Sequence, residues 1–162
     1  MSDGPKRDVR RVLCVCLGNI CRSPLAEGVL AAKAAEAGLD LDVDSAGTGD
    51  WHVGEPPHSS SVAVARRRGY DIAGQRARQV EPADLDRFDL ILAVDRSTLQ
   101  ALRRLAPADA TARLRLLDEA DGDVPDPYGS SLAAYEAVLD RIETAAARLV
   151  AALSEGRDRS IS

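Results

Sequence analysis

The sequence predicts an α/β fold, a parallel sheet covered by helices on both faces. Three observations predict it. Short aliphatic runs alternate along the chain with segments of helical periodicity. The runs are apolar throughout rather than alternating, as strands buried on both faces require. The turns between them carry Gly, Pro and Asp, and 162 residues with 45% apolar content can build one domain with a real core. Aromatics are only 3%, so Leu, Val, Ile and Ala must fill that core.

Residues 1–9 are polar, with Gly4 and Pro5, and are expected to be a disordered tail. The domain is expected over 10–154 and a second disordered tail over 155–162. The run 12–16 reads as a buried strand. Ser23 as N-cap and Pro24 at the first helical position start a helix that Gly38 closes. A second strand is expected over 41–46 and a Gly/Pro loop over 47–57. A helix over 59–68 ends at Gly69, and a short helix is expected near 81–86. The run 88–94 is the clearest strand; a helix over 97–106 stops at Pro107. Asp95, directly after that strand, reads as the helix N-cap. A short strand at 114–117 precedes the loop 118–130, and Leu132, Tyr135, Val138, Leu139, Ile142, Leu149 and Leu153 mark a long last helix. In such sheets ligands sit beyond the carboxyl ends of the strands. The loops 17–22, 47–57 and 118–130 should therefore meet at one site.

Composition narrows the function. The net charge of −5 argues against a nucleic-acid surface, and the cluster Lys6, Arg7, Arg10 and Arg11 reads as solvated tail and strand edge. No apolar run reaches membrane-spanning length and no signal-peptide core is visible, so a soluble, cytoplasmic protein with no membrane contact is expected. Cys14, Cys16 and Cys21 are odd in number and clustered, which suits a local chemical site in a reducing compartment rather than a disulfide framework. A zinc site from these cysteines with His52 or His58 has the wrong spacing, and Arg22 would repel the ion. Both histidines read as surface residues. Asp118, Asp121 and Asp123 lack the closing glutamate of a calcium loop and read as solvated. A dinucleotide fingerprint needs three glycines where the first loop has one.

The chemistry lies between Cys16 and Arg22, separated by five residues at a strand-to-helix junction. Successive amides in a tight loop make an anion nest, reinforced by the helix N-terminus. Gly18 and Asn19 accept the left-handed backbone such a loop needs. The Arg22 guanidinium can grip two phosphate oxygens in a fork. A cysteine in that cradle should lose its proton readily and could attack phosphorus. Ser23 could hydrogen-bond the sulfur and help it leave. Cys14, within the strand, reads as packing. Cys21 is open between two readings, a partner for Cys16 in a reversible disulfide that shields the thiolate, or a spacer.

The string Cys16-Leu17-Gly18-Asn19-Ile20-Cys21-Arg22-Ser23-Pro24 resembles the signature of the low-molecular-weight protein tyrosine phosphatases. Similarity continues at Asp44-Ser45-Ala46-Gly47-Thr48, Ala77-Arg78-Gln79, 88–95 and Asp126-Pro127-Tyr128, and spans roughly residues 10–153. The resemblance implies a three-layer α/β sandwich whose four-stranded parallel sheet has the order 2-1-3-4. It implies Cys16 as nucleophile and Arg22 with the backbone of Leu17, Gly18, Asn19, Ile20 and Cys21 as phosphate binders. Asp126 would be general acid and then base. Asn19, Ser23 and Ser45 would fix the loop. Substrates would be phosphotyrosine proteins and small aryl phosphates, the bound group phosphate or another oxyanion. No metal or other cofactor is implied, and the chain would be a monomer or weak homodimer. Some eukaryotic members place a histidine in the supporting network where this chain has Gln75. Gly129 follows Tyr128, so regulation through a tyrosine pair is not expected.

Trp51 and Tyr128 are expected as aromatic walls, with Ile20 facing the ring from inside the loop. Related arginine phosphatases typically carry threonine at the Ile20 position, so Ile20 favours phosphotyrosine. Two rivals stand beside this reading. An arsenate reductase-like enzyme needs downstream relay cysteines, and none follows Cys21. An inactive phosphate-binding signalling module would not need the complete catalytic set.

Overall fold

The computed structural model describes residues 9–156, so most of both expected tails lies outside the described residues. Val9, assigned by sequence to the N-terminal tail, is partly buried against the core. The elements run β1 Arg11–Cys16, α1 Arg22–Glu36, β2 Asp42–Gly47, α2 Ser59–Arg67, α3 Asp84–Arg87, β3 Leu90–Ala93, α4 Arg96–Leu105, β4 Arg113–Leu116 and α5 Leu132–Ser154. All strands are parallel in the order β2-β1-β3-β4, with helices on both faces.

The sheet divides the core because side chains alternate across a strand. Val12, Cys14 and Cys16 of β1 and Leu90 and Leu92 of β3 face one layer, with Leu25, Val29, Tyr135, Leu139 and Ile142. That layer holds α1, α2 and α5. Leu13, Val15, Ile91 and Ala93 face the other, with Leu85, Phe88, Leu99 and Leu102 of the α3–α4 side. β1 and β3 are central and apolar, as expected. β2 and β4 correct the expectation of uniformly apolar strands: they read Asp-Val-Asp-Ser-Ala-Gly and Arg-Leu-Arg-Leu. Each lies at an edge of the sheet, where one side of the backbone and part of the faces meet solvent.

Phe88 and Asp89 fall outside β3. Phe88 closes α3 in extended conformation, and the Asp89 carboxylate accepts the Arg10 and Arg11 amides at 2.9 Å, anchoring the start of β1. At the opposite end the register pairs Cys16 with Gly47 and Val15 with Ala93. The carboxyl ends of the strands thus deliver Cys16, the 48–57 loop, Asp95 and Asp118 to one side of the molecule.

Candidate active site

A pocket of about 190 Å³ opens at that side, lined by Cys16, Leu17, Gly18, Ile20, Cys21, Arg22, Trp51, His52, Asp126 and Tyr128. All three loops singled out in the sequence contribute to it.

The loop after β1 is held from outside by its carbonyls. Thr48 N–H donates to Cys16 O at 2.9 Å, Gly49 N–H to Leu17 O at 2.9 Å and His58 N–H to Ile20 O at 2.8 Å. The Ser61 hydroxyl donates to Cys21 O at 3.2 Å. Each planar trans peptide carries its N–H opposite its C=O. Outward carbonyls at 16, 17, 20 and 21 therefore turn the amides of 17, 18, 21 and 22 inward, and the loop becomes an anion nest. Asn19 takes the left-handed backbone at φ 57°. Gly18, expected to share that role, has no positive φ; a β-carbon there would instead lie 3.2 Å from His52 Cδ2. Gly47 is needed for contact with the loop, because a β-carbon would lie 2.8 Å from Leu17 O and 3.0 Å from Asn19 N.

Cys16 Sγ receives the Asn19 amide at 3.2 Å and lies 3.0 Å from Ser23 Oγ. Ser23 corrects its sequence assignment. α1 begins at Arg22 with Cys21 in the N-cap position, and the Ser23 hydroxyl points at sulfur instead of capping. The tight loop enters the helix two residues earlier than expected, leaving Ser23 inside its first turn. Asn19 Nδ2 donates to Ser23 Oγ at 2.8 Å and to Ser45 Oγ at 3.0 Å, and its Oδ1 accepts the Arg78 amide at 3.0 Å. With one lone pair of Ser23 Oγ taken by Asn19, its proton has two acceptors in reach, the sulfur at 3.0 Å and Ala46 O at 3.4 Å. Ser45 Oγ in turn donates to Glu27 at 2.7 Å. Gln75, expected near this network, donates to Pro24 O at 3.1 Å, and its Oε1 is buried with no partner.

Arg22 is 3% exposed. Its Nη1 donates to Asp95 Oδ2 at 2.7 Å and to Val124 O at 2.8 Å. That leaves the Nε and Nη2 edge for an oxyanion. Asp95 caps α4 by accepting Thr98 N–H at 2.8 Å, as expected, and also neutralises Arg22, which sequence reasoning missed. Burial raises the Asp95 pKa, but the Thr98 bonds and the Arg22 cation more than offset it and hold the carboxyl below its ordinary range. Its place just past the carboxyl end of a buried parallel strand was the available signal.

Asp126 lies 3.7 Å from Arg22 Nη2 with its side chain 46% exposed. Its other oxygen accepts the Tyr128 amide at 3.1 Å, so it also makes the turn that Asp-Pro suggests. Trp51 and Tyr128 line the mouth, and both are largely exposed. His52 lines the pocket and pairs with Glu55 at 3.0 Å. His58 corrects its surface assignment. It caps α2 through Ser60 N–H, stacks on Tyr135 at 5.2 Å and meets Tyr128 edge-on at 5.8 Å. Cys21 Sγ lies 3.5 Å from the buried Tyr135 hydroxyl, and burial pushes its thiol up to about 11. Asp118 corrects the reading of a solvated loop, being 3% exposed and paired with Arg141 at 2.9 Å. Among the described residues no three His, Cys, Asp or Glu side chains form a metal cluster, and no helix is long and apolar enough to cross a membrane.

Residues 11–159 match the family described as low molecular weight phosphotyrosine protein phosphatase. The Bacillus subtilis low molecular weight protein-tyrosine-phosphatase YfkJ is 43% identical over 151 residues, 89% of this chain and 96% of that protein. A protein tyrosine phosphatase from Entamoeba histolytica, with Hepes in its active site, superposes with a TM-score of 0.87 at 32% identity, over 91% of this chain and 99% of that one. Vibrio vulnificus Wzb in complex with benzylphosphonate gives a TM-score of 0.81 at 29% identity, over 88% and 98% of the two chains.

Proposed function

The chain belongs to the low molecular weight phosphotyrosine protein phosphatases, and we propose that it hydrolyses phosphotyrosine in proteins, and small aryl phosphates, through a cysteinyl-phosphate on Cys16. The observation that carries this reading is the setting of one sulfur. Cys16 Sγ receives an amide and faces a hydroxyl, in a pocket it shares with Arg22 and Asp126.

The Cys16 thiolate attacks phosphorus, forming the S–P bond as the bond to the phenolic oxygen breaks. The inward amides of 17, 18, 21 and 22 and the free edge of Arg22 hold the equatorial oxygens where charge concentrates. The Asp126 carboxylic acid gives its proton to the leaving phenolate. Water then attacks phosphorus while the Asp126 carboxylate takes its proton. The S–P bond breaks, inorganic phosphate is released, and the Ser23 hydroxyl stabilises the departing thiolate. Trp51, Tyr128 and Ile20 flank the ring, which favours a flat aryl ester over an alkyl one. Benzylphosphonate bound to the Vibrio relative supports an aryl-bearing ligand. Three unpaired cysteines suit a cytoplasmic location, and the small exposed apolar rim of Leu17, Trp51, Val53 and Tyr128 suits a monomer or weak homodimer.

The test is hydrolysis of para-nitrophenyl phosphate and of matched phosphotyrosine and phosphoserine peptides without added metal. Cys16→Ser is expected to abolish turnover, and phosphotyrosine to be cleaved far faster than phosphoserine. Equal cleavage of the two peptides refutes the aryl selectivity. Full activity of Cys16→Ser refutes the mechanism.

A further inference from the structure

An ion pair outside the pocket ties the loop that bears Asp126 to the last helix. Asp118, directly after β4, is buried, and its Oδ2 accepts Arg141 Nε at 3.1 Å and Nη2 at 2.9 Å. Its Oδ1 accepts the Asp121 amide at 3.0 Å, and Arg148 approaches at 3.7 Å. Burial alone would raise the Asp118 pKa, yet the Asp121 amide and the two arginines hold its carboxyl below the ordinary range. Arg141 does more than Arg148. Its Nη2 also donates to Asp123 O at 3.2 Å and to Gly122 O at 3.5 Å. One guanidinium thus gathers three acceptors along the limb that enters the loop.

The limb that leaves the loop ends at Ser131, whose hydroxyl caps α5 through Ala134 N–H. Arg141 stands nine residues after Leu132 on that helix, roughly 13.5 Å along its axis. Both limbs therefore hang from one rigid element. Only residues 124–131 span the gap, carrying Asp126 between Pro125 and Pro127. Asp126 and Arg141 line the same cleft of about 330 Å³ between this span and α5.

The carboxyl of Asp126 has little to hold it: the amide of Tyr128, in its own turn, and Arg22 at 3.7 Å. Its position comes from the backbone. That backbone is fixed at Val124, whose N–H donates to Val94 O at 2.9 Å and whose carbonyl accepts Arg22, and immediately before it by Arg141. The flanking prolines fix φ at two positions, so whatever displacement reaches Val124 when its Arg141-held neighbours loosen is passed on to Asp126. We propose that Arg141, acting through Asp118 and the carbonyls of Gly122 and Asp123, is a positioning residue for proton delivery by Asp126. This rests on the reading of Asp126 as the general acid.

The experiment compares kcat/KM for para-nitrophenyl phosphate, whose leaving group departs without a proton, with that for phenyl phosphate, whose leaving group needs one. The full chain is used as wild type, Arg141→Met, Arg141→Lys, Asp126→Asn and the Arg141→Met/Asp126→Asn double variant. Arg141→Met is expected to slow phenyl phosphate roughly tenfold more than para-nitrophenyl phosphate. Arg141→Lys, which keeps the charge but not the fork, is expected to restore part of that loss and keeps the test valid if the Met variant does not fold. In the Asp126→Asn background Arg141→Met is expected to cost nothing further. Equal slowing of both substrates, or a full effect of Arg141→Met on top of Asp126→Asn, overturns the proposal. Asp126→Asn without any leaving-group bias overturns the general-acid reading instead.

Discussion

Replacing Glu27 by Gln should make the protein more stable at alkaline pH and leave that advantage absent in acid. Glu27 lies on α1 four residues after Ser23, and so on the same helix face. Burial pushes its carboxyl from 4.5 up to about 7, the Ser45 hydrogen bond opposes this, the facing Asp44 adds to it and the facing Arg78 opposes it. The folded protein therefore holds the Glu27 proton more tightly than the unfolded chain does. That contribution is complete below pH 4.5 and is lost as pH rises through about 7. A rise from 4.5 to about 7 corresponds to about 3.4 kcal/mol without screening. Glu27 is only half-buried, and solvent screening reduces this to ~1.5 kcal/mol. Gln cannot ionise, yet its carbonyl still accepts the Ser45 hydroxyl, so the bond at 2.7 Å survives the change. Urea or thermal unfolding of both proteins from pH 5 to pH 8 should show the difference growing in favour of Gln by ~1.5 kcal/mol, or roughly 3–6 °C in Tm. A difference that is the same at every pH, or that favours Glu more as pH rises, refutes the reasoning.

Other perturbations separate the loop, its cation and its walls. Gly47→Ala places a methyl 2.8 Å from Leu17 O and 3.0 Å from Asn19 N, both backbone atoms. Turnover of para-nitrophenyl phosphate should fall roughly 100-fold, and vanadate titration should show a comparable loss of oxyanion affinity. Asp95→Asn keeps the α4 cap but strips Arg22 of the carboxylate at 2.7 Å. Thermal melts should register a loss of about 1–3 kcal/mol and steady-state kinetics a roughly tenfold drop in kcat/KM. Trp51→Ala removes an exposed ring, so Tm should hold while kcat/KM for aryl phosphates falls about three- to tenfold, measured against an alkyl phosphate as control.

The clustering of Cys16, Arg22 and Ser23 around one pocket was legible because they lie within eight residues of one loop, where spacing alone dictates geometry. The central strands were legible for a similar reason: β1 and β3 are apolar on both faces, a pattern that needs no knowledge of their neighbours. Edges were harder. The alternating residues of β4 look exposed or buried depending on which strand lies beside them. His58 looked like a surface residue because nothing nearby in sequence covers it; its rings are contributed by Tyr128 and Tyr135.

The amino-acid order by itself determined the alternating α/β pattern, the family to which the chain belongs and the tight loop from Cys16 to Arg22. Sheet order and helix packing decided which partners meet. The partner of Arg22 comes from 73 residues away, that of Asn19 from 59, and that of Asp118 from 23. Periodicity and motif spacing encode what one segment does within hydrogen-bonding reach of itself. Which distant charges meet depends on which strand ends the fold sets side by side, and a buried arginine accepts whichever carboxylate that arrangement brings to it.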